Sequence, residues 1–251
     1  MDVIKAVADE IGKARYIVAF TGAGISSESG IPTYRGEGGL WTKYDPNRYA
    51  NIHYFLEDPS YYWSFFRDVR YPMLKEVTPN RAHLALAEIE TAGKLQSVIT
   101  QNIDGLHQEA GSSTVIELHG TTRTIYCLEC SSRYTMEDIF PRLKVQVPPQ
   151  CPKCGGLLRP DVVFFGESLD SETLDLAYRE VGKCDMLIVV GSSLVVYPAA
   201  DIPVRAKRKD AVLVIINKDS TPMDDLADHV INERAGDVLP QIVRNLKNSG
   251  D

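Results

Sequence analysis

Short, nearly uninterrupted runs of apolar residues recur along the chain and alternate with segments of helical periodicity. The apolar runs lie at 15–20, 94–102, 114–120, 184–191 and 210–217. Helical patterns lie at 4–14, 80–93, 171–183 and 199–209. Strands that are apolar on both sides need cover on both faces, and helices between them supply it. The pattern therefore predicts an α/β fold, with a parallel sheet covered by helices on both faces.

Two stretches interrupt this alternation. Residues 36–78 are rich in aromatic side chains and carry helical segments without a strand partner, and residues 127–154 carry closely spaced cysteines and several prolines. A chain of 251 residues suits one large domain with insertions. We interpret both stretches as excursions that together build a smaller lobe against the sheet.

The composition and charge of the chain indicate which kinds of binding partner and which cell compartment to expect. With 44% hydrophobic and 24% charged residues, the chain is typical of a globular protein. A formal net charge of -7 disfavours direct binding to nucleic acid through phosphates and is compatible with a basic peptide partner. The first residues do not follow the pattern of a secretory signal, and no apolar run is long enough to cross a bilayer. We expect a cytoplasmic protein without a membrane partner.

A glycine-rich turn follows the first apolar run. Gly22 and Gly24 match the first half of a dinucleotide-binding fingerprint, although Ser27 replaces its third glycine. Glycines after a buried strand let backbone N–H groups approach a phosphate, and the Arg35 side chain would balance its charge. A second small turn, Gly191–Ser193, follows another buried strand. The prediction is a nucleotide site at the carboxyl ends of these strands; the alternative is a turn that binds nothing.

Four of the five cysteines form two closely spaced pairs. Cys127 and Cys130 are separated by two residues, as are Cys151 and Cys154, with twenty residues between the pairs. This spacing predicts one tetrahedral zinc site, and four thiolates leave no position for a water, so the zinc would be structural. Four unrelated thiols are the alternative. We interpret Cys184, which stands alone before a strand, as a buried apolar residue.

Polar residues follow two of the predicted strands. Gln101, Asn102 and Asp104 end one strand, and His119 ends the next. A histidine at a strand end beside a nucleotide turn suits a general base, since its ordinary pKa is about 6.5. The remaining histidines lack such neighbours, and we interpret them as structural: His53, His83, His107 and His229.

Taken together, the motifs resemble those of the sirtuins, the NAD-dependent protein deacylases. The motifs, in family order, are "GAGISSESGIPTYRG", "TQNIDGLH", "ELHG", the two cysteine pairs, "RPDVVFFGE", "GSSLVVYPA" and "IIN". The resemblance runs from about residue 12 to residue 240. It implies a Rossmann-like NAD-binding domain of residues 1–35, 79–119 and 160–251, with a small domain made of a helical module, 36–78, and a zinc module, 120–159.

The resemblance also implies roles for individual residues. His119 would be the general base. The NAD-binding set would be Gly22, Ala23, Gly24, Ser26, Tyr34, Arg35, Gln101, Asn102, Asp104, Gly191, Ser192, Ser193, Asn217, Lys218 and Val238. The segments that hold an extended substrate peptide would be Val163, Phe164, Phe165, Gly166 and Glu167 on one side, and Leu194, Val195 and Val196 on the other.

The implied reaction removes the acetyl group from a protein lysine and yields nicotinamide, free lysine and O-acetyl-ADP-ribose. Thr33 and Tyr34 replace the Asp-Phe pair of many members, and Tyr34 would still cover the site against water. Phe66 and Val69 stand where members that remove acidic acyl groups carry a tyrosine and an arginine. We therefore expect no fixed cation for an acyl carboxylate, and a preference for acetyl or another neutral acyl group.

Two other functions are compatible with parts of the pattern. Transfer of ADP-ribose to a protein or to water would use the same NAD cleavage without the acyl oxygen. A zinc-knuckle adaptor on an inert nucleotide-like fold is the second alternative, and the negative net charge together with His119 and Asn102 disfavours it.

Overall fold

The computed structural model describes residues 3–36 and 38–248. The parts of the predicted domains that fall on residues 1, 2, 37 and 249–251 lie outside the described residues. Nine strands are described: β1 Ile17–Thr21, β2 Leu95–Thr100, β3 Val115–Glu117, β4 Gly120–Cys127, β5 Arg133–Thr135, β6 Leu158–Val162, β7 Met186–Val190, β8 Val212–Ile216 and β9 His229–Ile231. The α-helices of the described part are α1 Val3–Lys13, α2 Pro46–Tyr49, α3 Ile52–Glu57, α4 Pro59–Phe65, α5 Tyr71–Glu76, α6 Arg81–Thr91, α7 Leu106–Glu109, α8 Met136–Leu143, α9 Ser171–Lys183, α10 Ile202–Lys207 and α11 Ala235–Asn248.

Six strands form one parallel sheet in the order β3-β2-β1-β7-β8-β9. This is the order of a Rossmann-type dinucleotide-binding fold, and the direction of chain progression reverses between β1 and β7. Thr21 pairs with both Thr100 and Val190, so the carboxyl ends of the three central strands are level. The parallel sheet that the apolar runs predict is confirmed.

The sheet is covered on both faces because its strands are apolar on both. In β1, Ile17 and Ala19 pack into a core with helices α1, α6 and α11. Val18 and Phe20 point the other way, into a core with α9 and α10. All five residues of β1 are buried, which explains why this strand reads as a continuous apolar run rather than an alternating one.

A smaller lobe contains an antiparallel sheet, β5-β4-β6, and the aromatic helices. Its core includes Phe55, Trp63 and Phe66 from the helices and Ile125 and Leu158 from the strands. The Trp63 indole N–H donates to the Leu158 carbonyl at 3.1 Å, which joins the two parts. The whole of strand β6 belongs to this sheet. The sheet therefore extends past residue 159, the predicted end of the zinc module.

One helical stretch of the small lobe changes its winding in the middle. Helices α4 and α5 are continuous through a π-helical segment, Phe66–Arg70. A π-helical hydrogen bond joins residues five apart rather than four, and short π-helical segments are frequent at functional sites. Two consecutive residues of this segment, Val69 and Arg70, both line the cleft described below.

None of the helices in the described part of the chain has the length and apolar character needed to cross a membrane.

Candidate active site

Two glycine turns lie in contact at the point where the strand order reverses. The Gly24 N–H donates to the Gly191 carbonyl at 2.8 Å, and the Gly22 N–H donates to the Val190 carbonyl at 3.0 Å. A Cβ on Gly24 would lie 2.7 Å from the Gly191 Cα, so only glycine permits this approach. The N–H groups of Gly22 and Gly24 are thus used inside the protein, and the two glycines bring the turns together. A phosphate approach through other N–H groups of the turn stays a prediction.

A chain of hydrogen bonds organises the space beside these turns. The buried Asn102 amide donates to the Gly22 carbonyl and to the Ser26 hydroxyl, each at 3.1 Å. The Ser26 hydroxyl donates to the Asp104 carboxylate at 2.7 Å. Asp104 also accepts from the Leu106 N–H at 3.0 Å. The structure thus brings together Asn102, Asp104, Ser26 and the first glycine turn, as the sequence analysis expected of the strand ends.

Two histidines are buried beneath this network. The His107 Nε2 lies 2.9 Å from the Thr21 hydroxyl, and the His83 Nε2 lies 3.4 Å from the Ser26 hydroxyl. Burial lowers the pKa of His107 to about 3 and that of His83 to about 4. Both rings are therefore neutral at physiological pH. The sequence analysis interpreted them as structural and did not place them next to Ser26 and Thr21.

His119 is held in the tautomer that a general base needs. Its Nδ1 lies 2.9 Å from the Gln101 carbonyl oxygen, which can only accept, so Nδ1 carries the proton and Nε2 carries a lone pair. Burial lowers the pKa of His119, and the hydrogen bond with Gln101 partly offsets this effect. The Gln101 side chain donates to the Ser192 hydroxyl at 2.8 Å, which links this strand end to the second glycine turn.

A cleft opens between the network and the small lobe, with about 490 Å³ of space when the open solvent at its mouth is included. Its sheet side includes Ala23, Ser26, Asn102 and Asp104. Its other side is mostly apolar and includes Tyr34, Phe65, Val69, Arg70 and Met73. A largely apolar cleft with a few converging polar groups is the usual form of a ligand site.

The loop after the first glycine turn covers part of the cleft. Tyr34 lies against Trp41 with ring centroids 5.2 Å apart, and its hydroxyl accepts from the Arg70 guanidinium at 3.3 Å. Arg35 is exposed beside it. The expectation from Phe66 and Val69, that no fixed cation binds an acyl carboxylate, stays a prediction, and Arg70, which it did not consider, also lines the cleft.

The remaining predicted NAD-binding residues lie farther along the carboxyl edge. Asn217 follows β8, and its side chain donates to the Asp219 carbonyl at 2.6 Å. Lys218 and Ser193 are exposed. Val238 is fully buried in the core between the sheet and α11, so its side chain is not available to a ligand.

The first predicted peptide segment follows β6 and is fixed from within. The Val163 N–H donates to the His119 carbonyl at 2.9 Å, which places this segment directly beside the histidine. Phe164 is buried against Phe55 and Tyr62, whereas Phe165 is partly exposed. The next two residues of the segment differ in exposure: Gly166 lies on the surface, and the Glu167 side chain points inward.

Glu167 forms a largely buried salt bridge with Arg159. Both of its oxygens accept from the Arg159 guanidinium at 2.8 Å, and one also accepts from the Phe164 N–H at 2.8 Å. The same guanidinium donates to the Val162 carbonyl at 2.9 Å. A bidentate pair of this kind fixes geometry as well as charge. The Glu167 side chain therefore holds the segment in place and is not free to contact a peptide.

The second predicted peptide segment follows the Gly191 turn. Leu194 is buried and has a positive φ of 54°, and its N–H lies 3.4 Å from the Ser192 hydroxyl. Val195 is 47% exposed and Val196 is half-buried. An exposed segment with apolar side chains suits an extended peptide.

The four cysteines of the two pairs converge. Their Sγ atoms all lie within 4.8 Å of one another, with Cys127 3.5 Å from Cys154 and Cys130 3.7 Å from Cys151. Four thiolates at about 2.3 Å from a central zinc lie about 3.8 Å apart, so the donor set fits a tetrahedral zinc ion. Cys184, by contrast, is buried alone, and burial raises its pKa to about 12.

Several residues of the site were not predicted from the sequence. Met73, Leu74 and Ile103 line the cleft, but nothing in their local pattern distinguishes them from core residues. His83 did carry a signal, because it stands three residues after Asn80 at the start of α6, where its Nδ1 lies 3.3 Å from the Asn80 N–H in a capping box.

The strand order, the paired glycine turns and the cleft at the reversal point define a dinucleotide-binding fold of the Rossmann class. A family model for the Sir2 family matches residues 22–198, and a relative at 47% identity covers nearly the whole chain. The chain belongs to the Sir2 family.

The relatives are similar over almost their full length. An NAD-dependent protein deacetylase of Saccharolobus solfataricus is 47% identical over 244 residues, which cover 96% of each chain. A solved Sir2 histidine-to-alanine variant with a deacetylated p53 peptide and 3'-O-acetyl-ADP-ribose has a TM-score of 0.92 at 41% identity, covering 96% of this chain and 97% of that one. A Sir2 structure with a p53 peptide and NAD+ has a TM-score of 0.89 at 41% identity, covering 98% of both chains.

Proposed function

We propose that this protein removes acetyl groups from lysine side chains of proteins with NAD as co-substrate, yielding nicotinamide, free lysine and O-acetyl-ADP-ribose. The main observation behind the proposal is that the polar segments after β1, β2, β3 and β7 lie together at one edge of the sheet. The Gly22–Ser26 turn, Gln101 to Asp104, His119 and the Gly191 turn are connected to one another by hydrogen bonds at the carboxyl edge of one sheet. The named activities of the relatives support it.

The packed glycine turns, with the amide and carboxylate of Asn102 and Asp104, fit a dinucleotide whose nicotinamide end enters the cleft. When bound, NAD supplies the ribose that accepts the acyl group and the nicotinamide that leaves. The Nε2 of His119 accepts a proton from a ribose hydroxyl, directly or through a relay. Tyr34 and Phe65 on the cleft wall exclude water, which would otherwise compete with the acyl oxygen.

The substrate peptide lies as an added strand between the segments 163–167 and 194–196. Val163, Phe164 and Phe165 already use their N–H groups within the protein, so we assign the peptide-facing N–H of the first segment to Gly166. Recognition of main-chain atoms gives affinity with little demand on the peptide sequence. Arg159 and Glu167 act as positioning residues because they fix this segment beside His119.

We assign Cys127, Cys130, Cys151 and Cys154 to one structural zinc ion. The small lobe then comprises the helical module near 36–78 and the zinc module near 120–159 extended by the rest of β6, and the remaining chain forms the NAD-binding domain. We also propose a cytoplasmic location.

The test incubates the protein with NAD and an acetyl-lysine peptide and identifies the products by mass. The expected products are nicotinamide, free lysine peptide and O-acetyl-ADP-ribose, with turnover reduced at least 100-fold in His119→Ala. His229→Ala is the matched control, since His229 begins β9 at the opposite edge of the sheet. Unchanged turnover in His119→Ala would remove this residue from the mechanism, and nicotinamide release without peptide deacetylation would indicate ADP-ribose transfer or hydrolysis.

A further inference from the structure

A tyrosine hydroxyl of the small lobe lies within hydrogen-bond distance of one cysteine sulfur. The Tyr134 Oη is 3.1 Å from the Cys151 Sγ. Tyr134 belongs to strand β5 and pairs with Ile125 of β4, and its side chain packs against the core of the small lobe. Cys151 is buried in the same core. The sheet and the core therefore fix both partners of this contact.

The contact crosses from one cysteine pair to the other. The first pair lies on the hairpin between β4 and β5, where the Cys127 N–H donates to the Ser132 carbonyl at 3.0 Å. The second pair lies in a separate turn, where the Gly155 N–H donates to the Cys151 carbonyl at 2.9 Å. Because Tyr134 belongs to the hairpin, its hydroxyl connects the hairpin to a sulfur of the second pair.

Two other sulfurs have polar neighbours from their own turns. The Ser132 hydroxyl lies 3.3 Å from the Cys130 Sγ, and the Gly156 N–H donates to the Cys154 Sγ at 3.4 Å. Both contacts are longer than the one made by the tyrosine. Each joins residues two apart in the chain, so neither holds one cysteine pair relative to the other.

The direction of the tyrosine hydrogen bond follows from the chemistry of a zinc ligand. A cysteine that binds zinc does so as a thiolate, which has no hydrogen to donate. When the metal is bound, the Tyr134 O–H therefore donates and the Cys151 sulfur accepts. Groups that donate hydrogen bonds to metal ligands orient those ligands, and their loss typically weakens metal binding about 10- to 100-fold.

We infer that Tyr134 is a positioning residue for the zinc site. Its hydroxyl holds the Cys151 sulfur of the second pair toward the first pair and stabilises the thiolate that the metal requires. Tyr134 acts through Cys151 and does not itself bind the metal. This inference rests on the zinc assignment made under the proposed function and is independent of the deacetylase activity.

The first test measures zinc binding by competition with a chromogenic chelator, using the zinc-loaded full chain. Tyr134→Phe keeps the ring that packs against the core and removes only the hydroxyl, and we expect it to bind zinc about 10- to 100-fold more weakly than the wild type. Tyr126→Phe is the matched control. Tyr126 precedes Cys127 in β4, and among the described residues its hydroxyl forms no hydrogen bond with a cysteine sulfur, so the variant keeps the wild-type affinity.

The second test is a spectroscopic signature that a purely structural role of Tyr134 would not change. Each protein is loaded with cobalt(II) in place of zinc, and the absorption bands from sulfur-to-cobalt charge transfer are recorded. A hydrogen bond lowers the energy of the electrons on a thiolate. We therefore expect these bands to move to longer wavelength in Tyr134→Phe and to stay unchanged in Tyr126→Phe.

Three outcomes would overturn the inference. Equal zinc affinity in Tyr134→Phe and the wild type would show that the hydroxyl does not support metal binding. Weaker zinc binding with an unchanged cobalt spectrum would mean that Tyr134 acts through packing and not through the thiolate. A wild-type protein that binds no stoichiometric zinc would overturn both the zinc assignment and this inference, and turnover of an acetyl-lysine peptide would still decide the deacetylase activity separately.

Discussion

His83 and His107 should make the protein sensitive to mild acid, well above the pH at which carboxylates titrate. Their folded pKa values of about 4 and about 3 lie below the value of about 6.5 in an unfolded chain. A lowered folded pKa gives stability that is present above pH 6.5 and is lost as the pH falls toward the folded pKa. The loss begins because the unfolded state binds protons that the buried rings do not.

The size of this loss in unfolding free energy follows from the pH range over which the unfolded histidines bind protons and the folded ones do not. Between pH 8 and pH 5 the cost rises toward about 1.4 kcal/mol per pH unit as the unfolded histidines become protonated, which sums to about 2 kcal/mol for each ring and about 4 kcal/mol for the pair. That is a large share of a typical unfolding free energy of about 5–15 kcal/mol. The lowered pKa of His119 acts in the same direction, and the raised pKa of Glu117 acts in the opposite one.

The assay is urea unfolding at pH 8 and pH 5 for the wild type and for His107→Gln, whose amide can still reach the Thr21 hydroxyl. The variant should lose about 2 kcal/mol less between the two pH values than the wild type does. Comparing pH losses, not absolute stabilities, cancels the contributions of Glu117, His119 and the thiolates. An equal loss in both proteins would refute the reasoning, because it would mean that His107 is protonated in the folded state.

Two further predictions concern the metal and the glycine turns. Removing zinc with a chelator should unfold the small lobe and abolish activity, since structural zinc contributes about 10–16 kcal/mol in small modules. Circular dichroism would follow the unfolding, and a zinc-binding dye would follow the release of the metal. A fully active metal-free protein would contradict the assignment. Gly24→Ala should lower the melting temperature and raise KM for NAD at least tenfold, because its Cβ meets the Gly191 backbone, whereas Gly12→Ala, whose Cβ meets nothing within 4 Å, should do neither.

The parallel sheet was predictable because its strands are buried on both faces and therefore carry their signal in consecutive residues, as in Met186–Val190. The three-residue strand β9 and the antiparallel strands β4 and β6 were not predicted. β4 mixes buried and exposed residues without strict alternation, and its pairing with β6 shifts register between Thr121 and Ile125. Short or irregular strands of this kind depend on long-range pairing more than on local pattern.

The site was predictable where chemistry is concentrated in adjacent residues, as in Gln101 to Asp104 and the cysteine pairs. It was not predictable in the helical module, where the local pattern does not reveal which side chains line the cleft. Phe66 and Val69 in the sequence suggested a neutral wall, whereas Arg70, at the end of the π-helical segment, also lines the cleft. The inward orientation of Glu167 likewise depends on Arg159, a partner eight residues away whose charge alone does not reveal the pairing.

Strand β6 connects the cysteine cluster to the histidine. Its first residue, Leu158, pairs with Cys127, and its second, Arg159, donates to Glu167 and to the Val162 carbonyl. Three residues after Val162 the chain reaches the exposed Phe165. A zinc ion bound by the cysteines would therefore stabilise, through this strand, the segment that we propose binds the peptide, without contacting the substrate itself. If a related protein lost these four cysteines, it would need another way to anchor strand β6 in order to keep its affinity for an acylated protein.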